Sequence, residues 1–173
     1  MSGTRILSIS PHARSVGYAL LEGVQLIDWG IRSLAPRQGT YPAATRSLDL
    51  IEALVDRYEP QVVVLPALDR LRLSRARLVR AVRSILGTRQ TPVVSSSVEA
   101  VWACLSPLAE ADRPTQYVVM RSVACLFPEL EPLLPRPRRP WESRDYWAPM
   151  FDAVARAVGW LYDAGQRKGL GVS

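Results

Sequence analysis

Ile6-Leu7-Ser8-Ile9-Ser10-Pro11-His12-Ala13-Arg14-Ser15-Val16-Gly17-Tyr18-Ala19-Leu20-Leu21-Glu22-Gly23 reads as two strands joined by a tight turn. The apolar runs over 5–10 and 16–22 flank a short stretch of Pro, Ser and charge, which is turn chemistry. Gly23 makes a second turn, and Val24 to Leu34 reads as a third strand. The chain therefore opens as an antiparallel meander.

From there strands and helices alternate. Ala44, Leu48, Ile51, Val55 and Tyr58 recur at helical spacing, and Pro60 ends that helix before Val62-Val63-Val64-Leu65, a short apolar run suited to a strand buried on both faces. Leu71, Leu78, Val82 and Ile85 form one face of a helix over 71–86, with Arg70, Arg72, Arg75, Arg77, Arg80 and Arg83 around it and Gly87 as its cap. Pro92 to Ser95 makes a further strand, Ser96 with Glu99 fits a capping box opening a helix through Leu105, and Pro114 suits the first turn of a helix closed by Pro128. The Pro- and Arg-rich stretch 128–140 reads as an extended connection, and Phe151, Val154, Val158 and Leu161 as the inner face of a last helix. The reading is one domain over 1–163 and a flexible tail over 164–173.

Composition narrows the class. With 173 residues, 48% of them apolar, the chain suits one core. Neither a membrane-length apolar run nor a signal-peptide layout is present, so the expectation is a cytoplasmic protein with no membrane partner. One histidine, two cysteines and no C-x-x-C argue against a zinc site, and Cys104 and Cys125 read as buried free thiols. The net charge of +6, carried almost wholly by arginine, favours a polyanionic partner.

The opening hairpin resembles that of the RuvC-like Holliday-junction resolvases of the ribonuclease H-like superfamily, whose pattern is roughly I-L-G-I-D-P-G-x-R-x-x-G-Y-A. Further matches follow in order: Tyr58-Glu59-Pro60-Gln61-Val62-Val63-Val64-Leu65-Pro66 resembles P-D-x-V-V-I-E, Phe127-Pro128-Glu129-Leu130 resembles F-P-E-L, and Pro140 to Tyr146 followed by Phe151-Asp152-Ala153 resembles the aspartate-alanine opening of the last helix. Each motif is weak alone; their joint order over about 150 residues makes the case. The resemblance implies an α/β fold, a ribonuclease H-like mixed five-stranded sheet flanked by helices, with 61–65 parallel to the first strand at the sheet centre.

It also implies what is missing. Members of that family cleave DNA with divalent metals held by carboxylates from the first strand, the fourth strand and the last helix. Here those positions are degenerate: Ser10 replaces the first acid, Pro66 (or Leu65 in a register one residue off) replaces the second, and Asp152 alone survives. Two hard Mg²⁺ ions need several oxygen ligands between them, so no metal, no cofactor and no catalytic residue is expected, with Asp152 the one candidate ligand. Asp69 and Asp145 lie near enough in sequence to be asked about, but turn and cap chemistry accounts for them. A nucleophilic Ser10 would want an oriented base, and His12 is the only histidine.

The basic helix is the stronger candidate: Arg72, Arg75, Arg80 and Arg83 could hold the phosphates of branched or duplex DNA without reading sequence. Its apolar face could equally serve the core or a homodimer contact. The leading reading is a catalytically degenerate RuvC-like pseudonuclease that binds nucleic acid or acts as a partner subunit in DNA recombination or repair. The alternatives are an active, diverged, Mg-dependent structure-specific endonuclease and a protein-interaction module on the same scaffold.

Overall fold

A five-stranded sheet with strand order β3-β2-β1-β4-β5 carries the molecule. The computed structural model describes residues 3–34, 43–137, 139, 141–142 and 145–165. β1 (Arg5–Pro11), β2 (Ser15–Glu22) and β3 (Gln25–Ser33) form the antiparallel meander, with Gly23 at φ 60 in its second turn. Helix α1 (Ala43–Tyr58) crosses back to β4 (Val62–Pro66), which pairs parallel to β1, Leu7 opposite Val63. α2 (Leu73–Thr88) leads to β5 (Val93–Ser96), parallel to β4. β1 is thus the middle strand, as the meander followed by a helical crossover requires.

Strand alternation divides the core in two. Leu7, Ile9, Val63 and Leu65 face α1 and α2. Ile6, Ala19, Leu21 and Val64 face the other layer, made of α3 (Val98–Leu105), α4 (Gln116–Leu126) and α5 (Ala148–Asp163). α5 is buried almost all round, which is why its sequence is apolar on every side rather than on one stripe. It lies against β2 so closely that a Cβ at Gly17 would meet the Pro149 carbonyl at 2.1 Å, and Gly159 sits tight against Val101 of α3.

Several local expectations are corrected. α2 runs through Gly87, and the left-handed residue after it is Gln90, because the helix holds to Thr88 before the chain turns. The N-cap of α3 is Ser97, whose hydroxyl accepts from Ala100 N at 3.0 Å, not Ser96, which ends β5. Thr115 caps α4 and Pro114 stands just outside it. Residues 128–133 form a 3-10 helix anchored by the buried Leu130, in place of the start of an extended connection. Cys104 is buried but Cys125 is exposed, being on the outer side of α4. Arg138, Pro140, Ser143, Arg144 and most of the expected tail lie outside the described residues.

Candidate functional site

Ser10 sits near the end of β1 on the face turned to α5, two residues beyond Ser8 in the pleat. Pro66 ends β4 and, by alternation with Val64, lies on that same face, while Leu65 points to the opposite core. Asp152 reaches the sheet from the second turn of α5. The Ser10 hydroxyl donates a short hydrogen bond to Asp152 Oδ2. Of Ser10, Pro66 and Asp152, two therefore touch, and the third is one strand away.

Around Asp152 the charge is the reverse of a metal site. Arg75 Nη2 donates to Asp152 Oδ2 at 3.0 Å and to Ser10 Oγ at 2.8 Å, while its Nε donates to the Pro11 carbonyl at 2.7 Å. Arg156, one turn along α5, donates from Nε to the same Oδ2 at 3.1 Å and from Nη1 to the Ser96 carbonyl at 2.7 Å. The Arg156 side chain is only 6% exposed, so this is a buried charge that its pairing makes tolerable. Burial pushes the Asp152 carboxyl up, but Arg156 and Arg75, together with hydrogen bonds from Ser10 and Arg156, hold it well below the usual carboxylate range. With Ser10 donating to Asp152, the His12 Nε2 at 3.1 Å acts as donor to that hydroxyl, which is the opposite of a base activating a nucleophile.

The divalent metals implied by the resemblance do not fit these residues. Among the described residues no three of His, Cys, Asp and Glu come together as a ligand group. The single carboxylate already has two guanidiniums and a hydroxyl on it. Asp145 accepts from the Trp147 amide at 2.8 Å, a turn ahead of α5, and Asp69 is exposed in the β4–α2 connection.

The basic helix divides into inner and outer arginines. Arg75, expected on the phosphate-binding row, turns inward to Asp152 and keeps 20% of its side chain exposed. Arg83 is half-buried and donates to Ser95 Oγ at 2.6 Å. Arg72 and Arg80 are exposed, as is Arg77. Arg156 has no place among the residues that the sequence singles out, although its i,i+4 spacing from Asp152 on an otherwise apolar helix is a signal for a buried pair. Gln116, at the start of α4, borders a cavity of about 220 Å³ together with His12, Arg75 and Asp152.

The architecture is the RuvC-like, ribonuclease H-like fold of the Holliday junction resolvases. Its solved neighbours include the Thermus thermophilus RuvC structure, with a TM-score of 0.64 at 15% identity over 96% of this chain and 98% of that one. T. thermophilus RuvC in complex with Holliday junction substrate gives 0.63 at 16%, over 94% and 97%. The yeast mitochondrial Holliday junction resolvase gives 0.60 at 16%, over 96% and 82%. No family model matches the chain, and no curated protein matches it in sequence.

Proposed function

We propose that this chain is a catalytically degenerate RuvC-like protein of the cytoplasm that binds branched or duplex DNA without cutting it, as a binding or partner subunit in DNA recombination or repair. The observation that carries the reading is the Asp152 site, where two guanidiniums hold the carboxylate while Ser10 and Pro66 stand at positions that the resemblance assigns to metal-binding acids. The net charge of +6, the exposed Arg72 at the N-cap of α2 and the exposed Arg77 and Arg80 on that helix supply the attraction for phosphate, and solved neighbours of this fold hold Holliday junction DNA.

The test is a four-way junction assayed for binding and for cleavage in Mg²⁺ and in Mn²⁺. Binding that weakens steeply with salt and no cleavage in either metal is the expected result. Cleavage that disappears on Asp152→Asn would establish the active-endonuclease reading instead. No binding at low salt would leave the interaction module.

A further inference from the structure

β3 is an outer strand of the sheet, and its free side is set by the ladder it makes with β2. The Leu34 N–H donates to the Arg14 carbonyl, so the alternation of an antiparallel pair gives Arg32, Gly30 and Asp28 to β2 and turns the N–H and C=O groups of Trp29, Ile31 and Ser33 outward. Among the described residues one of those outward groups has a partner: the Trp29 N–H donates to Asp28 Oδ1 at 2.8 Å. The devices that blunt an edge are sparse here. The strand holds neither proline nor lysine, and its bulge lies near the start, where the register shifts opposite Leu20 and Leu21 and Ile27 stands 48% exposed. Residues 28–33 therefore form a regular edge open to another strand.

The side chains along that edge are self-complementary. Asp28, Gly30 and Arg32 share one face, where Asp28 Oδ2 accepts a short hydrogen bond from the Tyr58 hydroxyl and Arg32 Nη2 donates to the Tyr18 hydroxyl at 3.3 Å. Neither charge has an oppositely charged partner among the described residues. When two such strands pair antiparallel about Gly30, Asp28 of each stands opposite Arg32 of the other, in non-hydrogen-bonded positions whose Cα atoms approach to about 4.5 Å, while Trp29 and Ile31 exchange their outward N–H and C=O groups. Gly30 meets Gly30 at the centre with no side chain in the way; a Cβ there would press on the Tyr18 ring at 3.2 Å. Centring the pair on Trp29 or Ile31 instead sets Gly30 opposite Asp28 or Arg32 and leaves both charges unanswered.

We propose that β3 is a docking edge for a second copy of this chain, which joins the two sheets antiparallel about Gly30. On docking, the Trp29 N–H passes from Asp28 to the Ile31 carbonyl of the second copy. The freed carboxylate oxygen turns to Arg32 across the seam, and Tyr58 keeps the other oxygen. The contact is narrow, so the dimer is transient and forms with rising concentration. It needs no nucleic acid and stands apart from the DNA-binding reading above.

The test is sedimentation of the full chain, without DNA, from about 1 µM to about 1 mM. The mass should rise with concentration towards that of two chains, and the Ile31 amide should exchange with solvent about tenfold more slowly at the upper end. Asp28→Arg and Arg32→Asp should each stay monomeric throughout, because the reversed charge then meets its like. Mixed in equal amounts the two variants should dimerise again, since each reversed charge faces its opposite. Arg32→Lys should keep the dimer. A monomer at every concentration, a dimer that survives both reversals, or a mixture that stays monomeric overturns the proposal. Should either reversal fail to fold, Ile31 exchange in the unsubstituted protein decides, and a rate independent of concentration overturns it.

Discussion

Asp152 shows how a residue's neighbours set the charge it faces. A carboxylate in a two-metal nuclease concentrates negative charge so that cations are drawn in; here the cations are side chains of the protein itself. Removing the acid leaves the Arg156 guanidinium buried against the Ser96 carbonyl without a counter-charge, and stranding such a charge costs about 3 kcal/mol or more. Asp152→Asn should therefore lower the melting temperature by roughly 6–12 °C in a chain of this size, read by calorimetry at neutral pH. The sign of the pH dependence follows from the direction of the Asp152 shift. Its folded-state value lies below the roughly 3.9 of an unfolded aspartate, so its contribution is complete above that pH and is lost as pH falls through the folded value. The gap in melting temperature between the two proteins should accordingly shrink in acid below about pH 4.

At the scale of elements, α2 shows how far periodicity reads. Val79, Val82 and Leu86 mark its buried stripe, and Arg75, four residues before Val79, and Arg83, four after it, fall within that stripe; Arg77 and Arg80 fall off it. The inward course of Arg75 is thus legible in the spacing, but its partner is not, since Asp152 lies 77 residues away on another layer. The serines at 95–97 give the opposite difficulty: three adjacent hydroxyls offer three caps, and only the end of β5 chooses Ser97. Two expectations belong here. Replacing Arg72 and Arg80 by Gln should flatten the salt dependence of duplex binding by about 0.9 in log-log slope for each phosphate left without its arginine, without altering stability. On α4, a thiol reagent should titrate Cys125 in the folded protein and reach Cys104 only on unfolding.

For the whole molecule, the position of α5 decides the site, because one helix carries Asp152 and Arg156 and fills the core over β1 and β2. Its distance from the sheet is set where Gly17 meets the Pro149 backbone. Gly17→Ala should cost roughly 1–3 kcal/mol, towards the upper end because the obstacle is main chain, and it should also loosen the Ser10–Asp152 hydrogen bond. Denaturant unfolding measures the first effect. The sheet order, central β1 and helical layers are legible in the sequence because strand runs, breakers and the hairpin matches agree. The 3-10 turn at 128–133 is not, since five prolines between 128 and 140 hide a segment whose conformation rests on burying Leu130.

The two guanidiniums on Asp152 also set what a single substitution at this site can do. Restoring an acid at Ser10 alone would place a second carboxylate against Arg75, which is already within 2.8 Å of the Ser10 oxygen. The new charge would tighten the internal ion pair instead of recruiting a metal. Ser10→Asp should thus bind no Mn²⁺ by titration calorimetry and cut no junction. A metal site here would need Arg75 removed and carboxylates placed at 10 and 66 together, each partial step either stranding a charge or strengthening the present ion pair. On the proposed reading, no single substitution at 10 or 66 opens a metal site, because the Arg75–Asp152–Arg156 pairing stays in place.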